Sequence, residues 1–305
     1  MAIRHFLDID LLDGKILRQI IDDAHEMKKC GKDLPKSFAP DHFNKSALLM
    51  IFEKPSTRTR VSFDVGMRQL GGESIVLNRE DLQLGRGESI ADTARVLSRY
   101  GDVVMMRVMK HETLEEFAEH ATIPIINGLS DRTHPCQIVA DIMTFEEHKG
   151  AIEGRTLAWV GDGNNVAVSF IHAAVQLGFK LRLGVPGSLH PDPAVLEWAR
   201  ARGGDIVVTD DPGEAVLGAD CVVTDTWVSM GDKDKNKRIK LLKPYAVTEK
   251  LMEKAADDAI FMHCLPAYRD MEVSGEVIDG PRSVVFDEAE NRLHAQKAVI
   301  AWCLD

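Results

Sequence analysis

Four short clusters in this chain could carry chemistry. The first is Lys54-Pro55-Ser56-Thr57-Arg58-Thr59-Arg60, between an apolar run, Ala47–Phe52, and a helical pattern (Val61, Phe63, Val65, Met67, Leu70). Hydroxyls and unpaired amides at a helix start attract anions, and a guanidinium fork suits phosphate oxygens. The plainer reading is a Ser56 helix cap with solvated arginines. A Walker loop is excluded, because no Gly-rich loop ending in Gly-Lys-Ser/Thr occurs. The second cluster is Arg107, closing the apolar run 103–106. The third is His134-Pro135-Cys136-Gln137, where Pro135 suits a first helical turn and His134 and Gln137 project near the same helix end. The fourth is His263-Cys264-Leu265-Pro266, a thiol and an imidazole at the end of the apolar run 259–262. Adjacency in sequence does not by itself give nucleophile–base geometry.

Two further segments invite comparison. Gly161-Asp162-Gly163-Asn164-Asn165-Val166 follows an apolar strand, 156–160. A dinucleotide site is disfavoured, since Val166 holds the third glycine position and no acid closes the next strand. The turn would instead point Asn164 or Asn165 into the crevice at the strand ends. Asp225-Thr226-Trp227-Val228-Ser229-Met230-Gly231 follows a strand at 220–224, and the mixed-charge run 232–238 reads as a solvated, mobile loop. Asp287, Glu288 and Glu290 suit the first turn of a last helix, where negative charge complements the dipole. Neither a metal nor a cofactor is expected.

These clusters need a scaffold that presents strand ends. Strands are predicted at 47–52, 74–77, 103–108 and 123–126, with helices at 11–31, 58–70, 89–100, 112–121 and 135–148. A second series follows: strands at 156–160, 180–185, 205–208, 220–224, 259–262 and 283–286, and helices at 165–178, 193–202, 213–218 and 288–304. Alternating strands and helices imply parallel sheets covered on both faces. The expected fold class is α/β, two doubly wound parallel-sheet domains, 1–149 and 150–305, with the C-terminal helix 288–304 packing back on the first.

Bulk properties narrow the function. The 305 residues carry a formal net charge of −11, which gives a nucleic-acid role no support. The five cysteines are widely spaced and form no Cys-x-x-Cys, so neither a disulfide framework nor a zinc ribbon is indicated. No signal-peptide pattern or 18-residue apolar run occurs, so a cytoplasmic protein without a membrane segment is expected.

The four clusters, in this order, resemble the aspartate/ornithine carbamoyltransferase family. The resemblance runs from Arg4-His5-Phe6-Leu7-Asp8 to Phe286-Asp287-Glu288-Ala289-Glu290-Asn291-Arg292-Leu293-His294. The segment 225–231 and Cys264 are similar to the ornithine-type members. The resemblance implies transfer of the carbamoyl group of carbamoyl phosphate to the side-chain amine of L-ornithine, giving L-citrulline and phosphate. It implies that Ser56, Thr57, Arg58 and Thr59 hold the phosphate, with Gln83 nearby. Arg107 and His134, with Thr59, would polarise the carbamoyl oxygen. Gln137 and the backbone at Cys264-Leu265 would hold the carbamoyl amide. Asn165, Asp225, Ser229 and Met230 would bind ornithine's amino-acid end, and Arg292 its reacting end. Either a Cys264 thiolate or the substrate phosphate would take the amine proton. A cis Leu265-Pro266 bond and a homotrimer, with Gln83 and Arg86 reaching across, are also implied. Three departures from the family pattern occur: Asp64, Gly163 and the segment Tyr268-Arg269-Asp270. A sister transferase for putrescine and a non-catalytic anion-binding paralogue are the competing readings.

Overall fold

Strands buried on both faces need long crossovers, and the chain supplies them as helices. The computed structural model describes residues 3–35, 43–82, 87–228 and 235–305. In the first half, α1 (Gly14–Cys30) precedes β1 (Ala47–Phe52), α2 (Thr57–Leu70), β2 (Glu73–Asn78), α3 (Ile90–Leu97), β3 (Val103–Arg107), α4 (His111–His120), β4 (Ile125–Leu129) and α5 (Pro135–Lys149). The second half runs β5 (Thr156–Val160), α6 (Asn165–Leu177), β6 (Lys180–Gly184), α7 (Pro193–Ala201), β7 (Ile206–Thr209), α8 (Pro212–Ala215) and β8 (Cys221–Thr224). It continues with α9 (Lys235–Leu242), α10 (Glu249–Met252), β9 (Ile260–His263), α11 (Gly275–Ile278) and α12 (Val285–Leu304).

The chain divides into two units. The first is Met1–Met143 with Glu290–Asp305, and the second is Thr144–Ala289. The change from first to second therefore falls inside α5, and the change back inside α12. The first unit holds a sheet of order β2-β1-β3-β4, and the second one of order β7-β6-β5-β8-β9. Every ladder in both is parallel.

In each sheet the chain starts inside, runs to one edge, then crosses back to the other side. That reversal falls between β1 and β3 in the first unit and between β5 and β8 in the second. Connections leave such a pair of strands in opposite directions, so a crevice opens outside their carboxyl ends. The core beside the first crevice includes Ile51, Val104, Met106, Leu114 and Phe117, and that of the second includes Val160, Val222, Val247 and Phe261. Burial of each such side chain contributes roughly 1.5–3 kcal/mol.

Two expectations are corrected. Residues 283–286 do not form a strand: Ser283 makes one bridge to Phe261, and Val285 already opens α12. The short apolar run Val284-Val285-Phe286 carries no period that separates strand from helix. The run 232–238 is not simply a solvated loop either, because Lys235 begins α9 and Arg238 is three-quarters covered. Among the described residues, no helix is long and apolar enough to cross a membrane.

Candidate active site

The reversal point of the first unit is stitched before it is decorated. The Glu53 N–H donates to the Arg107 carbonyl (3.0 Å), and the Glu53 carboxylate accepts from the Met109 N–H (2.6 Å). The carboxyl ends of β1 and β3 are thereby locked side by side. Ser56 caps α2, its hydroxyl accepting from the Thr59 N–H at 3.3 Å. Thr57 is exposed, Ser56 and Arg58 are half-buried, and Thr59 is buried. Between Met106 and Arg107 the register to β4 shifts by a residue. Such a bulge re-aims the side chain that follows it.

Thr59 is the hub of this unit. Its Oγ1 accepts from Arg292 Nη2 at 2.9 Å and from Arg107 Nη1 at 3.4 Å. A hydroxyl has two acceptor lone pairs and one proton. With both lone pairs facing guanidinium groups, the Thr59 proton is left to donate, and the two charges polarise it. Arg292 Nη1 also donates to Gln137 Oε1 (2.6 Å), and Gln137 Nε2 donates to Asp141 (2.7 Å). The Gln137 carboxamide is thereby fixed between Arg292 and Asp141. Arg292 thus stands with Thr59 and Gln137, on the residues expected to hold the carbamoyl group.

Burial holds His134 well below the ordinary imidazole range, and the charges of Arg292, Arg107 and Arg58 push it further down. His134 is therefore a neutral hydrogen-bond donor among cations. Burial likewise pushes the neighbouring Cys136 thiol up to about 12, so it is inert.

In the second unit, β5 and β8 present Asn164 and Asp225. Asn164 Oδ1 caps α6 through the N–H groups of Val166 and Ala167, while its Nδ2 donates to Asp225 Oδ2 at 2.8 Å. Asp225 Oδ1 accepts from the Thr226 N–H (2.7 Å) and from the Cys264 thiol (3.2 Å). A carboxylate so close disfavours a thiolate. Gly161 has φ +133, a conformation that favours glycine, and a Cβ on Gly163 would approach Pro191 N to 2.7 Å. That close approach explains why a longer side chain is absent at Gly163.

The loop after β9 is held from behind. Leu265 is left-handed (φ +54), and its bond to Pro266 is cis, as expected. Its N–H donates to His263 Nδ1 at 2.9 Å. His263 Nε2 faces Glu272 at 3.4 Å, and Glu288 accepts the His263 N–H at 2.8 Å. Asp225, His263 and Cys264 bring ligating atoms within 4.8 Å of one another, a grouping their sequence spacing does not reveal. The departing segment Tyr268-Arg269-Asp270 is pinned by Arg269 on Asp279 (2.6 and 2.8 Å), and Asp64 accepts from Arg68 at 3.1 Å and from Ser74.

Gln83, Arg86, Ser229 and Met230 lie outside the described residues. Ser56, Arg58, Thr59, Arg107, His134, Gln137 and Arg292 all fall in the first unit, and Asn165, Asp225, Cys264 and Leu265 in the second. The sequence left Asn164 and Asn165 as alternatives for the crevice, and Asn164 reaches Asp225. It gave no role to Asp162, which pairs with Arg238, while Arg238 Nε donates to the Trp227 carbonyl (2.5 Å). A lone arginine inside a charged run carries no signal of its partner.

Comparison with known proteins places this architecture. Residues 4–147 match the family description "Aspartate/ornithine carbamoyltransferase, carbamoyl-P binding domain", and residues 153–303 match its "Asp/Orn binding domain". An ornithine carbamoyltransferase of Rhodopseudomonas palustris is 60% identical over 304 residues, covering 99% of this chain and 96% of its own. One from Agrobacterium fabrum is 56% identical over 301 residues, 99% and 98% of the two chains. The solved ornithine carbamoyltransferase of Pyrococcus furiosus superposes with a TM-score of 0.92 at 47% identity, over 98% of this chain and 96% of that one. An anabolic ornithine carbamoyltransferase from Campylobacter jejuni gives 0.91 at 39% identity, over 98% of each. With both halves matched in order and these identities along nearly its whole length, the chain belongs to the aspartate/ornithine carbamoyltransferase family.

Proposed function

We propose that this carbamoyltransferase takes the carbamoyl group from carbamoyl phosphate and places it on the side-chain amine of L-ornithine, releasing L-citrulline and phosphate. The observation that carries the reading is Thr59, whose hydroxyl is held by Arg107 and Arg292 beside a neutral His134. Attack on a carbonyl carbon puts negative charge on its oxygen, and fixed donors stabilise that charge without reorganising. Thr59, Arg107 and His134 are those donors. His134 serves as a neutral imidazole, so it need not lose a proton during turnover. Ser56, Thr57, Arg58 and the first amides of α2 take the phosphate, with Gln83 assigned beside them. Gln137, held by Arg292, takes the carbamoyl amide, and Leu265 and the Cys264 backbone are assigned to the same group by family membership.

Asp225 suits ornithine's α-ammonium, with Asn165, Ser229 and Met230 as the other assigned contacts. Ornithine's reacting amine has an unperturbed pKa near that of lysine, about 10.4, so it arrives charged and must lose a proton. The Cys264 thiol already donates to Asp225, which favours the substrate phosphate as the acceptor. Cytoplasmic location and a homotrimer complete the reading.

Initial rates with ornithine, putrescine and aspartate test it. Ornithine should give citrulline and phosphate in equal amounts at the highest kcat/KM, whereas faster turnover of putrescine would overturn the substrate assignment. Phosphate-ligand binding without turnover would point to the anion-binding paralogue. Sedimentation should give three times the 33.8 kDa chain mass; a fully active monomer would refute the trimer.

A further inference from the structure

His134 is delivered by a tight turn, and the turn is built on a buried histidine that no sequence cluster singles out. The Ser130 N–H donates to the Thr133 carbonyl at 3.0 Å. Ser130 Oγ accepts from the N–H groups of Thr133 (3.2 Å) and Arg132 (3.3 Å). Asn127 Nδ2 braces the turn through Thr133 Oγ1 at 3.1 Å. Behind it lies His111, the first residue of α4 and 2% exposed, with Nδ1 at 2.7 Å from Ser130 Oγ. The His111 N–H donates to Asp131 Oδ1 at 2.9 Å, so α4 holds the turn at two successive residues.

The proton count decides the direction of the central contact. A hydroxyl oxygen accepts two hydrogen bonds and donates one. Two amide N–H groups already take the Ser130 acceptor positions. The short contact to His111 is then the hydroxyl donating, which requires an unprotonated Nδ1 and puts the ring proton on Nε2, toward Glu115 at 3.7 Å. The Thr133 carbonyl, also within reach of the hydroxyl, is farther away at 3.4 Å than His111 Nδ1 at 2.7 Å. A proton on His111 Nδ1 would aim a third donor at an oxygen with two lone pairs, and one of the two amide bonds of the turn would have to break.

We propose that His111 is a positioning residue for the carbamoyl-transfer reaction: by accepting the Ser130 hydroxyl proton it sets the turn that aims His134, and a protonated His111 releases that turn. This rests on the role given to His134 above. The groups facing His111 fit it. Burial lowers its proton affinity most, and Arg132 lowers it further, against Asp8, Glu115 and Asp131, which raise it. Arg132 is itself engaged by Glu115 (2.9 Å) and Glu112 (3.8 Å). The start of α4 also disfavours a cation. His111 is therefore neutral at neutral pH, with its protonation reserved for acid.

The test uses the full-length enzyme and the variants His111→Ala and His111→Asn, with kcat, both KM values and thermal midpoint followed from about pH 5.5 to about 8.5. His111→Ala should lower kcat roughly ten- to a hundredfold, the scale of loss when a reacting group is misplaced by about an ångström. Both KM values should stay near wild type, because the phosphate and ornithine contacts lie elsewhere. His111→Asn offers Oδ1 as acceptor in place of Nδ1. It should restore most of kcat and abolish the wild-type fall in kcat on the acid side, having no ring to titrate. An unchanged kcat in His111→Ala, or a wild-type acid limb in His111→Asn, would overturn the proposal. If His111→Ala fails to fold, the pH profile of His111→Asn decides. Ring NMR reads the same coupling without turnover: the His134 signal should follow the His111 titration in wild type and not in His111→Asn, and absence of that difference also overturns it. A wild-type enzyme that makes no citrulline would instead refute the carbamoyl-transfer reading, leaving the NMR arm to judge His111.

Discussion

One oxygen, Thr59 Oγ1, ties together residues that stand far apart in the chain. Arg107 and His134 could be suspected from sequence, because a charged or polar residue just past an apolar strand must sit on the sheet rim. The hydrogen bond from Arg292 to Thr59 could not, since a last helix expected to return to the first domain does not say which side chain there it will meet. His111 was silent for a similar reason: a histidine in an acidic first turn looks like a surface residue until its ring is found buried against Ser130. Thr59→Val keeps the shape and removes the hydroxyl. It should cut kcat about 10²–10³-fold, the cost of losing one oxyanion donor. It should also lower unfolding free energy by about 1–3 kcal/mol, since the buried Arg292 and the part-buried Arg107 each lose an acceptor; kinetics and urea titration check the two effects separately. For Cys264→Ser, kcat should stay within about tenfold of wild type if the phosphate accepts the proton, whereas a loss approaching the 10⁴ upper range of general-base catalysis would restore the thiolate.

The elements themselves were largely legible. Period and turn residues located β1, α2, β3, β5 and α6 to within a residue or two, because capping and apolar patterning are local properties. Ser56, read as a cap, is one. The failures came where local pattern runs out. Val284-Val285-Phe286 is too short to show a period, and the charged residues of α9 hid a helix whose Arg238 pairs with Asp162. That pair joins the turn after β5 to the backbone after β8. Arg238→Ala should raise KM for ornithine and leave KM for carbamoyl phosphate unchanged; equal rises in both would argue against it. Gly163→Ala pushes a methyl onto Pro191 and should cost about 1–3 kcal/mol, the usual penalty for overpacking, visible as a lower urea midpoint at constant m-value.

Across the whole molecule the charge is unevenly used. A chain of net charge −11 keeps Arg58, Arg107 and Arg292 near one neutral histidine in its first unit. Burial leads the lowering at His5, His111 and His134 alike. The unfolded chain takes up protons at these positions near pH 6.5, while the folded unit resists until lower pH. Their contribution to stability is therefore complete above about 6.5 and is lost as pH falls toward their folded values. Denaturant unfolding at pH 7.5 and 5.5 (round values either side of about 6.5) should show the first unit weakening in acid, and His134→Asn should weaken less; equal acid sensitivity in the two proteins would contradict this.

The return of Glu290–Asp305 to the first unit also sets a timetable for synthesis. The ribosome releases Met1–Met143 early, yet Arg292 and the rest of α12 emerge only after the second unit. At about 5–20 residues per second the first unit waits roughly 8–30 s for its closing segment. The second unit, continuous in sequence, is free to mature in that interval. The nascent chain should thus complete its second unit before its first, whose sheet is open to aggregation until α12 leaves the exit tunnel.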